Sequence, residues 1–237
     1  MNTKPLVVAK INFRNIRLAY ILTIIMMAAT LIQNVVFLIL LSFGIDANGP
    51  DNMTVSWGNY LFIFIILSAI FIASKNFRKM MNLGGKRSDF FKGCLVNYAI
   101  MSAIVSLVCV IMYYTYDKYM VSVLYGGGSM DVLYWFGWLG NGAVVAFFRL
   151  FVFLLLLASV VHTLTAAQEK WYGWAADVLI VAIISVFTPI ATLRPALVWF
   201  FNMIIFHSSA LVQIASCLVL TIAVYALNKP ILARRAI

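Results

Sequence analysis

The chain has few of the side chains that carry enzyme chemistry. Of its 237 residues, seven are Asp or Glu and two are His. His162 and His207 stand in separate segments without the His-Glu-x-x-His spacing of a zinc site, and no Gly-x-Ser-x-Gly nucleophile motif occurs. We therefore expect a chain that is not an enzyme and binds no metal or other cofactor.

A nucleotide-binding loop is also missing, although one segment partly resembles it. Gly85 and Lys86 match the end of a phosphate-binding loop, but Met80 stands where its first glycine belongs. Arg87 occupies the position of the Ser or Thr that would bind Mg²⁺. If ATP drives this protein, the ATP and its Mg²⁺ are expected on a partner subunit.

Cysteines and intramembrane acids are equally scarce. The three cysteines, Cys94, Cys109 and Cys217, fall within or beside apolar runs, and their spacing indicates neither a metal site nor a disulfide framework. Only Asp177 lies inside an apolar run. Proton-coupled pumps usually carry more intramembrane carboxylates, so this mechanism is disfavoured.

Apolar residues dominate what remains. Hydrophobic residues make up 65% of the chain, charged residues 10%, and the mean hydropathy is +1.02. The apolar residues form six runs of 18 or more, which is the length that crosses a bilayer as a helix. The runs cover residues 18–41, 57–74, 95–114, 143–164, 174–193 and 210–227. We predict an all-α membrane protein, with residues 1–237 forming a single transmembrane domain of six spans.

The basic residues predict the orientation of these spans. Of the 17 Lys and Arg, 14 fall in the N-terminal segment, the second and fourth connections and the C-terminal tail. They are Lys4, Lys10, Arg14, Arg17, Lys75, Arg78, Lys79, Lys86, Arg87, Lys92, Lys170, Lys229, Arg234 and Arg235. Positive residues concentrate in cytoplasmic segments, so both termini are predicted to be cytoplasmic. The net charge of +10 then reflects topology and contact with anionic lipids rather than nucleic-acid binding.

Two shorter elements accompany the spans. Residues 10–17 alternate basic and apolar side chains at helical spacing, which favours an amphipathic helix in the membrane interface. Residues 196–206 are apolar but too few to span, so they predict an interfacial or re-entrant helix before the last span. Pro189, late in the fifth run, is expected to kink that helix.

Arginine and aromatic residues near the predicted outer ends have specific interpretations. Arg149 either reaches the membrane edge or contacts a substrate or partner. Four aromatic residues of the third outer connection are expected to anchor a cap in the interface, with ligand binding as the alternative. They are Tyr134, Trp135, Phe136 and Trp138.

The second cytoplasmic connection carries the most specific pattern. It contains Leu-Gly-Gly-Lys-Arg-Ser-Asp-Phe-Phe-Lys-Gly at residues 83–93, between two basic clusters. Ser88 is a suitable N-cap for a short helix through Asp89, Phe90, Phe91 and Lys92, and two adjacent exposed Phe side chains would favour a docking partner. The segment resembles the coupling helix of type-2 ATP-binding-cassette (ABC) exporter permeases. The six spans, the N-terminal amphipathic helix and the short helix before the last span resemble the layout of that family.

The resemblance implies a permease that docks on two copies of a cytosolic ABC ATPase through residues 88–92 and pairs with a second, identical or paralogous, permease. It is closest in kind to short-chain bacterial members that export lantibiotics, phenol-soluble modulins or hydrophobic drugs, which implies the plasma membrane. The family's substrate path uses the first, second and fifth spans. The residues expected to line it here are Met26, Met27, Thr30, Gln33, Asn34 and Thr188. Helix–helix hydrogen bonding is an alternative role for Gln33 and Asn34.

Two other functions remain open at this stage. A secondary transporter should show an internal repeat, but the first half has a long basic cytoplasmic connection that the second half lacks. A non-transporting subunit, acting in immunity, sensing or assembly, is compatible with the same residues. An intramembrane enzyme is the least favoured alternative.

Overall fold

The architecture was analysed in a computed structural model, which describes residues 5–44, 54–119 and 129–234. Lys4 and Arg235, which were counted above, lie outside these residues. The described chain is helical apart from one parallel pair of two-residue strands, β1 (Thr54–Val55) and β2 (Ser129–Met130). The predicted all-α class is therefore confirmed.

The helices follow the apolar runs of the sequence closely. In chain order they are α1 (Pro5–Asn15), α2 (Arg17–Ser42), α3 (Trp57–Asn82), α4 (Arg87–Asp117), α5 (Val132–Trp135), α6 (Ala143–Ala167), α7 (Trp171–Phe187), α8 (Arg194–Phe206) and α9 (Ala210–Arg234). A 3₁₀ turn, Trp138–Asn141, lies between α5 and α6. Helices α3, α4 and α8 each contain one π-helical segment, where the backbone hydrogen-bond pattern widens.

Five of these helices, α2, α3, α4, α6 and α9, are long and apolar enough to cross a membrane, which indicates a membrane-embedded protein. The fifth apolar run differs from expectation, because α7 has only 17 residues and ends at Phe187. Pro189 does not kink a continuing helix. The chain instead turns at residues 188–193, since proline lacks the N–H that a further helical turn requires.

The helices α3, α4 and α6 form the centre of the bundle and pack against one another. Helix α9 lies along α6, α2 lies along α3, and α7 contacts α6 and α8. The N-terminal helix α1 packs across the base of α4. Its buried Val8, Ala9 and Asn12 face the bundle while Leu6 and Ile11 are exposed, as expected for an amphipathic helix at an interface.

A surface ion pair fixes which connections share one end of the bundle. The Arg78 guanidinium donates to the Glu169 carboxylate at 2.9 Å, joining the end of α3 to the connection between α6 and α7. The two connections that carry the predicted cytoplasmic charges therefore lie at one end, which we call the basic end. Because the pair is exposed, it should contribute little to the free energy of unfolding; its value here is that it shows which connections are neighbours.

Polar contacts close the opposite end of the bundle. The buried Asp117 carboxylate accepts hydrogen bonds from Ser56 Oγ at 2.6 Å and from the Trp57 backbone N–H at 3.2 Å. Asp131 caps α5 by accepting from the backbone N–H groups of Leu133 and Tyr134. The Asp117 contacts hold the start of α3 against the end of α4.

The end of the short helix α8 is held by side chains that donate hydrogen bonds to backbone carbonyls there. Trp138 Nε1 donates to the Ile205 carbonyl at 2.8 Å, and Gln213 Nε2 donates to the Ile204 carbonyl at 3.1 Å. Arg149 donates to Gln213 Oε1 at 3.0 Å and to the His207 carbonyl. Helix-end carbonyls need such partners away from water.

Two predictions about this end are corrected by these contacts. Arg149 is 2% exposed, so it does not reach for the membrane edge but binds groups within the protein. Trp138 is fully buried and cannot anchor in the interface, whereas Tyr134 and Trp135 are well exposed. Each buried side chain has a backbone carbonyl as its partner, which offsets the cost of its burial.

Candidate functional site at the basic end

The turn between α3 and α4 has a geometry that explains its two glycines. The Gly84 N–H donates to the Met81 carbonyl and the Gly85 N–H donates to the Met80 carbonyl, both at 3.0 Å. This is the Schellman pattern, which needs a left-handed residue after the helix, and Gly84 has a φ of +77°. A Cβ on Gly85 would lie 2.7 Å from Met80 Cγ. Both glycines are therefore required by the close turn.

This turn presents one apolar side chain among basic ones. Leu83, at the tip of the turn, is 73% exposed. Among the described hydrophobic residues near the basic end, only Trp171 has a larger exposed fraction. Five exposed basic residues surround it in sequence: Lys75, Arg78, Lys79, Lys86 and Lys92. An exposed leucine on a turn that is flanked in sequence by basic residues is a candidate for contact with a partner protein.

The predicted docking residues, Ser88 to Lys92, are not a separate short helix. They form the first turns of α4, which begins at Arg87 and continues to Asp117. Ser88 is not the N-cap, because Lys86 holds that position with an extended backbone and its carbonyl accepts from the N–H groups of Asp89 and Phe90. Asp89 lies in the first turn, where a carboxylate complements the helix dipole.

The expectation that Phe90 and Phe91 are exposed is wrong. Phe90 is completely buried, and its ring meets that of Phe77 edge-to-face at 5.3 Å. Phe91 is half-buried and stacks on Tyr225 at 4.5 Å, while the Tyr225 hydroxyl donates to the Phe91 carbonyl at 2.6 Å. Since α4 starts before these residues, its helical register turns both rings toward the bundle.

The two Phe rings belong to a cluster that joins four helices. Tyr98 and His162 share a hydrogen bond of 2.5 Å between the phenol oxygen and Nδ1. The His162 ring lies 6.4 Å from that of Phe90 and 6.2 Å from that of Tyr225. We call Phe77, Phe90, Phe91, Tyr98, His162 and Tyr225 the aromatic cluster; they come from α3, α4, α6 and α9.

Sequence reasoning did not identify this cluster, because its members lie in different apolar runs. A usable signal was present, since a polar ring such as His162 within a long apolar run needs a buried partner. The sequence alone does not indicate which of the eleven tyrosines provides it.

Helix α1 is attached directly beneath the docking segment. A Cβ on Gly93 would lie 2.5 Å from Val8 Cβ, so glycine allows α1 to approach α4 closely. The buried Asn12 accepts from Asn76 Nδ2 at 3.2 Å and donates to Cys94 Sγ at 3.7 Å. The turn, the start of α4 and α1 therefore form one packed unit.

The predicted substrate-path residues on α2 divide into two groups. Thr30 and Asn34 are buried and bond to neighbouring helices, Thr30 to the Tyr60 hydroxyl at 2.6 Å and Asn34 to the Tyr116 hydroxyl at 3.1 Å. Met26 and Gln33 are exposed and Met27 is half-buried. The helix–helix role was left open for Asn34, and its contact with Tyr116 is of that kind.

Within one chain the structure does not bring α2 and Thr188 together. Thr188 follows α7, is exposed, and donates to the Ile184 carbonyl at 2.6 Å. Helix α2 packs on α3, whereas α7 packs on α6 and α8. The predicted path residues thus occupy two separate faces of the chain.

No protein-family model, curated protein or solved structure matches this chain. Its function is therefore inferred from its own residues and contacts.

Proposed function

We propose that the chain is the membrane-embedded permease subunit of a type-2 ABC exporter in the bacterial plasma membrane. It would dock on two cytosolic ATPase subunits, which bind ATP and Mg²⁺, and would move hydrophobic or amphipathic peptides or drugs out of the cell. One observation carries this proposal: the exposed basic turn lies at the start of a single helix, Arg87–Asp117, that runs through the bundle.

The length of α4 supports a mechanical role. Its 31 residues extend about 46 Å, longer than the ~30 Å hydrocarbon core of a bilayer. The docking segment and the opposite end, where Asp117 contacts Ser56, are therefore parts of one rigid element. A displacement of the turn by a partner would be transmitted along this helix without a hinge at the membrane surface.

The aromatic cluster supports transmission to the other helices. Phe90 and Phe91 contact side chains of α3, α6 and α9, so a movement at the start of α4 shifts these helices as well. In this proposal the two Phe rings do not insert into the ATPase. Leu83 and the basic residues that flank it in sequence make the contact, and the Phe rings pass the displacement into the bundle.

The exposed outer helices support pairing with a second permease. In α2, only 11% of the most apolar 18-residue stretch is buried within the chain, and in α7 the one buried residue is Gly173. Ala28 and Ala29 lie on the exposed surface of α2, and small residues allow another helix to approach closely. A second permease would bring the two separated faces with path residues together.

The six-span topology is part of the same proposal. Helix α7 extends about 26 Å, which crosses a bilayer with local thinning or with help from the turn that follows it. With α7 as the fifth span, α1 and the end of α9 share the basic end, and the concentration of positive residues there predicts that both termini are cytoplasmic.

The test is native mass spectrometry of the chain purified with the proteins encoded beside it. We expect a complex with two ATPase subunits that is lost in Leu83→Ser. The matched control is Phe43→Ser, since Phe43 is 75% exposed in the turn after α2, at the other end of the bundle. A complex that survives Leu83→Ser would contradict docking at the turn, and a chain that never binds an ATPase would refute the exporter proposal.

Transport by membrane vesicles separates this proposal from its main alternatives. Vesicles that contain the ATPase and any paralogue but lack this chain should not transport. If they transport normally, the chain is a non-transporting subunit. Transport that persists without ATP and follows an ion gradient would instead indicate a secondary transporter.

A further inference from the structure

An apolar groove runs beside α7, between this helix and its neighbours in the bundle. Three cavities of about 500, 610 and 650 Å³ lie in a row along it. The first and second share Leu197 and Phe201, and the second and third share Val160, Ile180 and Val224. The cavities therefore form one continuous groove, lined by α6, α7, α8 and α9.

The groove runs almost the full height of α7. The α7 side chains lining it begin at Tyr172, near the basic end, and the groove reaches Thr188 just beyond the helix. The 16 steps from Tyr172 to Thr188 correspond to about 24 Å along a helix axis. Apart from Thr163 and Asn202, the walls between these ends are aliphatic and aromatic, so the groove fits a long, thin hydrocarbon chain.

One end of the groove carries a cation. Arg194 lines the cavity near Thr188, at the end of the bundle opposite to the basic turn. Its Nε donates to the Thr188 carbonyl at 2.9 Å. Its terminal nitrogen Nη2 makes a longer contact, at 3.4 Å, with the Pro189 carbonyl. A guanidinium has five N–H donors, so others remain for a ligand. Its partners in the structure are these carbonyls, and no described carboxylate forms an ion pair with Arg194.

The contacts of α7 with its neighbours argue against a protein helix as the occupant of the groove. A helix with its side chains is about 10–12 Å wide. Helix α7 contacts both α6 and α8, so a helix from another protein cannot enter between α7 and these neighbours. A hydrocarbon chain is narrow enough, and an aliphatic wall offers it contacts as favourable as those in the bilayer.

We propose that this groove binds an acyl chain of an anionic phospholipid, whose phosphate is held by Arg194. The cation lies at the level of the membrane surface, where a headgroup would be, and the apolar walls extend from it toward the opposite surface. Arg binds phosphate through charge-assisted hydrogen bonds. The site goes beyond the exporter proposal and does not depend on it, since it requires neither an ATPase nor a second permease.

The test compares two lipids with identical acyl chains. The full chain is extracted from vesicles containing equal amounts of phosphatidylglycerol and phosphatidylcholine, and the retained lipid is identified by native mass spectrometry. We expect one tightly retained phosphatidylglycerol and a preference for it over phosphatidylcholine that falls about fivefold in Arg194→Gln. The control Lys118→Gln removes an exposed cation outside the groove and should leave the preference unchanged.

A second pair of variants tests the hydrocarbon part of the site. Ile180→Trp places a bulky ring in the groove and should abolish retention of either lipid. Val181 is the next residue along α7, is 62% exposed and does not line the three cavities. The Val181→Trp variant should therefore retain lipid as the unmodified chain does. Thermal unfolding of both variants in detergent confirms that they are folded.

Three outcomes would overturn the proposal. Equal retention of phosphatidylglycerol and phosphatidylcholine would show that Arg194 does not select an anionic phospholipid. Retention that survives Ile180→Trp in a folded variant would place the lipid outside the groove. If neither lipid is retained and the groove binds only a transported hydrophobic compound, the groove is part of the substrate path instead.

Discussion

The central and outer helices of this bundle are equally apolar but differ in what they contact. The most apolar stretch of α2 is comparable in hydropathy to that of α6, but 11% of it is buried within the chain, against 50% for α6. Hydropathy therefore indicates that a helix lies in the membrane, but it does not indicate whether lipid or protein surrounds it.

Small and polar residues account for the difference between these helices. In the centre, Ser68, Ser102, Ser106, Ala158 and Ser159 are all fully buried. Small side chains let helix backbones approach closely, and lipid gives no hydrophobic driving force for association. The centre is thus held by close packing, and the outer helices present larger aliphatic side chains to lipid or partners.

Truncating Phe90 tests the centre most severely. We expect Phe90→Ala to lower the free energy of unfolding by about 3–5 kcal/mol, because it removes a buried ring from the aromatic cluster. For a chain of this size, this corresponds to a fall in melting temperature of about 10 °C. Melting in detergent, followed by intrinsic fluorescence, measures it.

The contrasting variant is Leu83→Ala, at an exposed position seven residues earlier. It should change the melting temperature by less than about 2 °C, since no buried contact is lost. Equal effects of the two substitutions would contradict the assignment of Phe90 to the interior and return it to the docking surface.

A single methyl group at Gly93 should have the next largest effect. The Cβ of Gly93→Ala would meet Val8 at 2.5 Å, so α1 must shift away from α4. Overpacking of this kind costs about 1–3 kcal/mol. We expect lower melting temperature and faster proteolysis within α1.

The matched control is Gly140→Ala, because a Cβ at Gly140 has no atom within 4 Å and its backbone is not left-handed. This variant should melt like the unmodified chain. If Gly93→Ala were equally neutral, α1 would not be tightly packed on α4, and the unit beneath the turn would be looser than its contacts indicate.

Much of the fold was predictable from sequence because lipid imposes simple demands. Five of the six apolar runs are helical throughout, and the fifth is helical as far as Phe187. The amphipathic segment predicted at residues 10–17 is helical except at Ile16, where α1 ends and α2 follows, and the short apolar piece is part of α8. Backbone N–H and C=O groups that lie in lipid, away from water, must be hydrogen-bonded within the protein. A long apolar run therefore has few structural alternatives to a helix. The Leu-Gly-Gly turn was predictable for a similar reason, since helix ends favour glycine.

Side-chain orientation was less predictable, because it depends on contacts distant in sequence. Phe90 and Phe91 stand between basic residues and were therefore predicted to be exposed, but one helical turn decides which way each ring points. Arg149 is paired with Gln213, 64 residues away, and Trp138 with the carbonyl of Ile205. Periodicity within a segment carries no information about such partners.

The smallest expected effect concerns how an outer helix is attached to the centre. Thr30 of α2 bonds to the Tyr60 hydroxyl at 2.6 Å, and Tyr98 bonds to His162 at 2.5 Å within the centre. Interhelical hydrogen bonds in membrane proteins contribute about 0.6 kcal/mol on average and up to about 1.7. We expect a double-mutant cycle of Thr30→Val and Tyr60→Phe to give a coupling near the average, and Tyr98→Phe to cost more, since its partner is fully buried.

Equilibrium unfolding in mild detergent with added denaturant measures both values. If the Thr30–Tyr60 coupling equalled or exceeded the cost of Tyr98→Phe, α2 would be fixed as firmly as the central helices. The low burial of α2 would then mark a rigid surface, ready to receive a partner without rearrangement. A weak coupling would instead leave α2 free to move against α3, because few other polar contacts hold it. That outcome would favour movement of α2 when a second permease or a substrate binds.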